Sequence, residues 1–266
     1  MGATLLIADL HLDASRPDTL RAALDTFAAA GACSALWILG DLFEAWIGDD
    51  AGLADGAASP GRSVANALAR LADTGTAVHL MHGNRDFLLG EAFARAAKAT
   101  LHREDERIVT LGGEPVLLMH GDTLCTGDAE YQRMRHQLRD PDWQAHFLAL
   151  PIEERLAAAR QLRAASRDAG SRKPLDIMDV SAAAVSARLQ ACHEAHGTTT
   201  LVHGHTHRPA AHGIALACEG AEPATVAARR LVLGDWHADG GEALIADAEG
   251  LRPVRCPAGI PLPCRG

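Results

Sequence analysis

Short apolar segments recur along the chain, and most of them end at Asp, His or Gly. Each has the length of a strand, and most are apolar throughout, which is typical of strands buried on both faces of a sheet. These segments are residues 4–8, 35–39, 77–81, 116–119, 200–202 and 231–233. Helical patterns lie between them, at residues 17–30, 63–72, 87–97 and 181–196. Strands that alternate with helices predict an α/β fold.

One region breaks this alternation. Residues 129–173 have a helical period and no strand pattern, and Pro141 and Pro151 divide them into two or three helices. We therefore expect a core in two parts, residues 1–125 and 176–266, with a helical insertion at residues 126–175.

Charge also sets the insertion apart from the core. Residues 129–173 hold nine Arg and Lys against six Asp and Glu, a net charge of +3, whereas the whole chain carries −9 and the remainder therefore −12. A solvated helical face accounts for this pattern, and so does a lid that meets an anionic substrate.

Composition narrows the class of protein. Hydrophobic residues make up 48% of the chain, which suffices for a core, and no apolar segment reaches the roughly 18 residues of a transmembrane helix. The N-terminal sequence has no pattern of a signal peptide. The six cysteines lie far apart in sequence, so we expect reduced thiols in a cytoplasmic protein. The acidic net charge argues against a nucleic-acid partner.

Residue types that bind metal ions follow the predicted strands. Since ligands bind at the carboxyl edge of an open α/β sheet, we expect these side chains to converge. Imidazole, carboxylate and amide ligands without a thiolate favour Mn²⁺ or a similar ion over a structural zinc. The segment 203–207 is the most specific, because three imidazoles in five residues are costly to bury without a partner. The candidate ligands are Asp9, His11, Asp41, Asn84, His120, His205 and His207.

The other histidines carry no assigned role. Three of them, His79, His82 and His203, are expected near the site. We expect the remainder at the surface, namely His102, His136, His146, His193, His196, His212 and His237.

The order of these motifs resembles the calcineurin-like metallophosphoesterase superfamily, whose pattern runs D-x-H, G-D-x-x-[DE], G-N-H-[DE], H and G-H-x-H. The resemblance implies two β-sheets packed as a sandwich, flanked by helices, with a helical cap insertion. It also implies two metal ions. One ion would be held by Asp9, His11, Asp41 and His207. The other would be held by Asp41, Asn84, His120 and His205, with Asp41 bridging the pair. The implied catalytic residues are Asp41, Asn84, Arg85 and His120.

Arg85 departs from the superfamily pattern, because it stands where the usual motif has a histidine. A guanidinium keeps its proton at ordinary pH, so Arg85 cannot act as a general acid, although it can clamp a phosphate. This suits a leaving group that needs little protonation, such as one phosphate of a split pyrophosphate.

Longer motifs, at residues 39–50, 82–87, 120–126, 177–180 and 203–209, are similar to the family of UDP-2,3-diacylglucosamine hydrolases. That resemblance implies cleavage of UDP-2,3-diacylglucosamine to UMP and 2,3-diacylglucosamine 1-phosphate, with two Mn²⁺ ions and attack of water on the α-phosphorus. It implies a cap that holds the acyl chains, for which Trp46, Phe147 and Leu148 are candidate lining residues. Gly170 stands where the family often has Asn, so one sugar contact is lost or made by backbone. The implied substrate contacts are Asn84, Arg85, Asp128, Tyr131, Ser166, Gly170, Lys173 and His205.

The same resemblance implies a cytoplasmic protein that is peripheral on the inner membrane, without an obligate protein partner. Basic cap helices would be attracted to anionic lipid by roughly 1 kcal/mol per residue near the surface. Two alternatives stay open. One is another phosphoesterase of the superfamily that acts on a nucleotide or phosphodiester, against which Arg85 and the long cap argue. The other is a binding scaffold without activity, against which the complete ligand set argues.

Overall fold

The computed structural model describes residues 2–54, 60–172, 179–217 and 225–256, and of residues 165–172 it describes the helical backbone alone. Within these ranges two mixed β-sheets pack face to face, with helices on both outer faces. The predicted α/β sandwich is confirmed.

The first sheet has the strand order β10-β11-β1-β2-β3-β4, and β12 also pairs with β11. Strands β1 to β4 are parallel, whereas β11 runs antiparallel to β1. The strands are β1 (Thr4–Ile7), β2 (Ala35–Leu39), β3 (Ala77–Met81), β4 (Thr100–His102), β10 (Trp236–His237), β11 (Gly240–Asp247) and β12 (Gly250–Cys256).

The second sheet has the order β5-β6-β7-β9-β8, in which β6, β7 and β9 are parallel. Its strands are β5 (Glu106–Leu111), β6 (Glu114–Met119), β7 (Thr200–His203), β8 (Ala210–Ala217) and β9 (Thr225–Val232). The sequence pattern predicts β1, β2, β3, β6, β7 and the end of β9, but not the parallel strand β4 or the short strand β10. The antiparallel strands β5, β8, β11 and β12 were not predicted either. The strands β5, β8 and β12 carry exposed residues along much of their length, which interrupts any apolar run, whereas β11 holds the buried apolar segment 243–246 and was missed.

Three apolar layers hold the sandwich together. Leu6, Trp37 and Leu118 belong to the layer between the two sheets. Helices α1, α3 and α4 cover the first sheet, and helix α8 covers the second. Helix bounds are α1 (Pro17–Ala29), α2 (Asp49–Gly52), α3 (Gly61–Asp73), α4 (Glu91–Ala97), α5 (Ala129–Arg139), α6 (Pro141–Leu148), α7 (Ile152–Arg172) and α8 (Ala182–His196).

The helical insertion consists of α5, α6 and α7, which we call the cap. The breaks between α5 and α6 and between α6 and α7 lie where the two prolines predict them. Pro141 occupies the first turn of α6, where its missing N–H leaves no hydrogen bond unmade, and Asp140 caps that helix by accepting from the N–H of Trp143. Pro151 directly precedes α7. No helix among the described residues is both long and apolar enough to cross a bilayer.

Three expectations need correction. Helix α4 begins at Glu91, so residues 87–90 are not helical. His102 is not at the surface. It is buried on β4, its ring stacks on Trp37 at 4.8 Å, and its Nε2 lies 3.0 Å from Nδ1 of His79. Cys33 is disulfide-bonded, whereas Cys192 and Cys256 are free thiols. Spacing along the sequence does not measure the distance in space that decides whether a disulfide forms.

Candidate metal centre

The predicted ligands converge where the parallel strands of both sheets end. Asp9 follows β1, Asp41 follows β2 and Asn84 follows β3, all in the first sheet. His120 follows β6 and His205 follows β7 in the second sheet. Because the sheets pack face to face, five separate loops deliver their side chains to one place.

One group of these side chains surrounds Oδ1 of Asp9. Nε2 of His207 lies 3.5 Å from this oxygen, and Nε2 of His11 lies 4.0 Å from it. The two imidazole nitrogens are 3.0 Å apart. The donor atoms of these three residues all lie within 4.8 Å of one another, which is the spacing of atoms that could share one cation.

A second group surrounds Oδ1 of Asn84. Nε2 of His120 and Nδ1 of His205 each lie 3.0 Å from this oxygen. Oδ2 of Asp41 lies between the two groups, 3.8 Å from Nε2 of His11 and 3.7 Å from Nε2 of His120. The structure therefore brings all seven predicted ligands together, with Asp41 placed to contact both groups.

The backbone at these ligands is strained. Left-handed φ values are uncommon for residues other than glycine, yet five of the seven ligands adopt them. The values are 56° at Asp9, 47° at His11, 51° at Asp41, 68° at His205 and 54° at His207. Among the described residues the other such position is Lys98. Strain of this kind is typical of a functional site, because a fold keeps it only where the surrounding structure imposes it.

Two glycines let the loops approach this closely. A Cβ atom at Gly83 would overlap Oδ1 of Asp41, and one at Gly204 would overlap Oδ2 of Asp9. Any side chain at either position would therefore push a carboxylate out of place.

Backbone groups and a buried carboxylate hold the ligand loops in place. Nδ1 of His120 lies 2.9 Å from the carbonyl oxygen of Leu39, so it is the donor and Nε2 is left to bind a metal. The N–H of Arg85 donates to Oδ1 of Asp41 at 2.8 Å. Asp86, 1% exposed, accepts from the N–H groups of Gly83 and Leu42 and so ties two ligand loops together.

The electrostatics of the site follow from burial and from its mixed charges. Burial raises the pKa of Asp41. Burial would do the same for Asp9, but the imidazoles of His207, His120 and His11 hold its pKa below the usual range. Burial lowers the pKa of His205 to about 3, which keeps this imidazole neutral, as metal ligation requires.

A divalent metal ion fits these residues. Oδ1 of Asp9 is buried and accepts no well-formed hydrogen bond from the described part of the chain. A buried carboxylate oxygen without a partner is costly, and a cation beside it would remove that cost. The donor set contains imidazoles, carboxylates and an amide oxygen, without a thiolate, which suits a divalent ion of intermediate hardness.

Several residues that sequence reasoning did not assign connect the cap to the ligand loops. Oε2 of Glu44 lies 3.0 Å from Nδ1 of His11, and Oε1 accepts a hydrogen bond from Arg163 on α7. Arg139, at the end of α5, donates to the carbonyl oxygen of Gly83 at 2.9 Å. The acidic position at the end of the G-D-x-x-[DE] motif was the available signal for Glu44.

Asp122 forms the second such connection. Its carboxylate is buried two residues after His120 and accepts from Nε of Arg135 at 2.7 Å and from the phenol of Tyr131 at 2.9 Å. Burial alone would raise the pKa of Asp122, but the charges of His120 and Arg135 outweigh burial and lower it. Asp122 lies within the motif at residues 120–126, but sequence reasoning assigned it no role, because its partners lie on a separate helix.

The predicted substrate contacts lie in different surroundings. Tyr131 stands beside the ligands, with its ring 6.1 Å from that of His205. Asp128 caps α5 by accepting from the N–H of Tyr131. Ser166 and Gly170 lie on α7, where the backbone alone is described, and Lys173 lies outside the described residues.

A cavity of about 100 Å³ lies between the cap and the core and reaches Asn84 and Arg85. Trp46 and Phe147 line it, as predicted. Leu148 was assigned wrongly, since it is 39% exposed and is not part of the lining. The other apolar lining residues include Phe87, Leu88, Leu138, Trp143 and Leu162.

Comparison with known proteins agrees with this geometry. A model of the family described as calcineurin-like phosphoesterase matches residues 3–209, and the chain therefore belongs to this family of hydrolases, which use divalent metal ions. A solved structure described as a novel archaeal phosphodiesterase covers 95% of the chain, and the chain covers 99% of it, with a TM-score of 0.41 at 10% identity. That likeness is too distant to carry an argument.

Within the family, the chain is similar to proteins named UDP-2,3-diacylglucosamine hydrolase. The protein of Chromohalobacter salexigens is 52% identical over 235 residues, which cover 88% of this chain and 89% of the relative. That of Pseudomonas putida strain W619 is 49% identical over 250 residues, 93% of this chain and 96% of the relative. The protein of Azotobacter vinelandii is 50% identical over 238 residues, which cover 89% of this chain and 92% of the relative.

Proposed function

We propose that this protein hydrolyses the pyrophosphate bond of UDP-2,3-diacylglucosamine, giving UMP and 2,3-diacylglucosamine 1-phosphate. The observation that carries the proposal is the apolar cavity under the cap, which opens directly onto the ligand cluster at Arg85. A sugar with two acyl chains needs such a cavity, whereas a plain nucleotide or phosphodiester would leave it unfilled. The names of the relatives support the same substrate.

We propose that the ligand cluster binds two Mn²⁺ ions. Asp9, His11, Asp41 and His207 would hold one ion, and Asp41, Asn84, His120 and His205 the other, with Asp41 shared. When bound, such ions lower the pKa of water and offset the negative charge on phosphoryl oxygens.

Protein side chains would assist the cleavage of the pyrophosphate bond. Water adds to the α-phosphorus, the bond to the bridging oxygen breaks, and that oxygen leaves with the β-phosphate as the sugar phosphate. Arg85 binds the phosphoryl oxygens, and its positive charge offsets the negative charge that develops on them in the transition state. The departing phosphate needs little protonation, so no general acid is required where the superfamily pattern has a histidine. Asn84 and His120 complete the proposed catalytic set, because they lie beside Asp41.

The cap would hold the rest of the substrate. Tyr131 and His205 lie together at the ligand cluster, where they would contact the sugar, and Asp128, Ser166, Gly170 and Lys173 are the further proposed contacts. The acyl chains would lie along Trp46, Phe87 and Phe147 in the apolar cavity. Covering the reaction with the cap also excludes bulk water, which strengthens the contacts made by Arg85.

The test is release of UMP from UDP-2,3-diacylglucosamine by the purified protein, with Mn²⁺ and after its removal by a chelator. We expect turnover that needs the ion, and much slower cleavage of a generic phosphodiester under the same conditions. Equal rates on the two substrates would contradict the proposed specificity, and failure to release UMP would contradict the proposed reaction.

We also propose that the protein is peripheral on the cytoplasmic face of the inner membrane, where the acylated substrate lies. The basic charge of the cap is not the support for this, since Arg135, Arg139, Arg155 and Arg163 are engaged with core groups. The exposed large hydrophobic residues of the described chain support it, because they all belong to the cap. They are Leu148, Ile152, Leu156 and Leu162.

Flotation with vesicles of phosphatidylethanolamine and phosphatidylglycerol tests this membrane contact. An apolar contact predicts that binding persists in high salt and is lost in an Ile152→Ser, Leu156→Ser variant. Arg133→Gln on the exposed face of α5 is the matched control. Binding that disappears with salt in both proteins, or that is absent from the start, would contradict the proposal.

A further inference from the structure

A second cavity adjoins the ligand cluster and shares part of its lining with the apolar cavity. Its volume is about 440 Å³, against about 100 Å³ for the apolar cavity, and the rest of its lining is different. Its lining is polar throughout and includes Asp13, Ser15, Arg16 and Asp235, together with the ligands His11 and His207. Glu44, Arg85 and Arg163 line both cavities and therefore mark where they meet.

We propose that this polar cavity binds the nucleotide half of the substrate, a pyrimidine nucleoside 5′-phosphate, with its phosphate at the junction and its base at the outer end. The inference rests on the proposed function. The bond that breaks joins an acylated sugar phosphate to a nucleoside phosphate, and it must lie beside the ligand cluster. With the acyl half in the apolar cavity, the nucleoside half extends the other way, past His11 and His207.

The charges along the cavity support this direction. Arg85 and Arg163 stand at the junction, where a phosphate carries its negative charge. Elsewhere in the lining, Arg16 is accompanied by the carboxylates of Asp13 and Asp235, and Oδ2 of Asp235 lies 3.6 Å from Nδ1 of the ligand His207. These carboxylates would disfavour a second anion but suit an uncharged base and ribose, whose carbonyl, N–H and hydroxyl groups can form hydrogen bonds with them and with Arg16.

The outer residues are held ready for such a ligand. Nη2 of Arg16 donates to the carbonyl oxygen of Trp236 at 2.6 Å, which fixes the guanidinium in place. Oδ1 of Asp13 accepts from the N–H of Ser15 at 2.8 Å, so the carboxylate direction is fixed as well. Side chains that are already ordered lose less entropy when a ligand binds, so this pair can recognise polar groups of a base at low cost.

Binding of UMP to the Mn²⁺-loaded full chain, measured by calorimetry, tests the inference. Arg16→Gln and Asp13→Asn should each weaken UMP binding by about tenfold, as expected for the loss of a charged hydrogen bond, and leave the affinity for inorganic phosphate unchanged. Leu138→Ala in the apolar cavity is the control, and it should weaken binding of 2,3-diacylglucosamine 1-phosphate but not of UMP. Thermal unfolding of each variant checks that it folds.

The outcomes separate this inference from the proposed function. If wild-type protein binds UMP in an Arg16-dependent way but does not cleave UDP-2,3-diacylglucosamine, the cavity assignment stands and the proposed reaction fails. If the enzyme cleaves the substrate while UMP affinity is the same in wild type, Arg16→Gln and Asp13→Asn, the cavity assignment is wrong. Equal loss of UMP and inorganic phosphate affinity in those variants also overturns it, since the effect would then lie at the phosphate.

Discussion

The ligand loops of the core and the helices of the cap fix their charged groups in different ways. In the core, short Asp and His side chains are placed by a strained backbone and by glycines that admit close approach. In the cap, long arginines reach inward from regular helices to Glu44, Asp122 and Gly83. The ligand geometry is thus set by the chain path, whereas the cap is attached through individual side chains. Substitutions should therefore have separate consequences in the two regions.

Replacing the shared carboxylate of the core should have the largest effect. Asp41→Asn removes the charge between the two ligand groups, so we expect turnover to fall by at least about 10²–10³-fold. Stability should be kept or improved, because burial already disfavours the charged form of Asp41 and Asn tolerates a left-handed backbone. Rates of UMP release, metal content and melting temperature measure this. Near-normal activity with Mn²⁺ would refute the site assignment.

A substitution at the border between the two regions should change metal binding more than folding. Glu44→Gln weakens the contact to Nδ1 of His11 and the hydrogen bond from Arg163, and we expect Mn²⁺ affinity to fall by about 10–100-fold, the usual effect of removing a partner of a ligand. Arg163→Met removes only the hydrogen bond from the cap to Glu44 and keeps the contact of Glu44 to His11, so it should lower Mn²⁺ affinity less. If Arg163→Met lowers metal affinity as much as Glu44→Gln, the cap would be part of the ligand geometry and the comparison would fail.

Cutting a cap attachment should lower stability. Arg135→Met leaves Asp122 as a buried charge without its cation, and we expect a loss of about 3 kcal/mol in the free energy of unfolding at neutral pH. The folded pKa of Asp122 is lowered, so its stabilisation is present above the unfolded pKa of about 4 and disappears as the pH falls further.

The difference between wild type and Arg135→Met should therefore narrow below about pH 4. Denaturant unfolding at several pH values measures it. The double variant Arg135→Met, Asp122→Asn should recover part of the loss, because it removes the isolated charge. A constant difference across the pH range would show that lost packing, and not charge, is responsible.

The smallest effect concerns the two histidines, His79 and His102, whose rings stack on Trp37. Burial lowers the pKa of His79 to about 4, so the folded state resists its protonation. The unfolded state takes up this proton near pH 6.5, and stability should therefore fall between about pH 6.5 and 4. His79→Gln should flatten that part of the curve, whereas His196→Gln on the exposed end of α8 should not. Identical curves for all three proteins would exclude the histidine pair as the cause.

Sequence reasoning predicted most of the parallel strands and the candidate ligands for one physical reason. Strands buried on both faces must be apolar, and an Asp or His directly after such a strand stands out against them. The same reasoning found the cap, because Pro141 and Pro151 break a helical period that contains no strand. The antiparallel strands β8 and β12 left no comparable signal, since solvent covers one side of them and their residues are mixed.

The direction of long side chains could not be predicted. The net charge of residues 129–173 indicated a positive surface, but a count of arginines does not say which way they point. Arg155 illustrates this, because its side chain is 3% exposed and donates to the carbonyl oxygen of Ile47 and to Asp50 in the core. His102 was likewise assigned to the surface, because its burial against Trp37 depends on how β2 and β4 are placed in the sheet.

The left-handed ligand positions have a consequence for how the sequence can change. At Asp9, His11, Asp41, His205 and His207 the backbone penalises nearly every residue except glycine, asparagine and aspartate, and it penalises β-branched residues most. Glycine at these five positions would relieve about 1 kcal/mol of strain each and yield a chain that folds more readily but has lost its chemistry. Selection for stability alone would therefore erode this site, and selection for activity must keep opposing it.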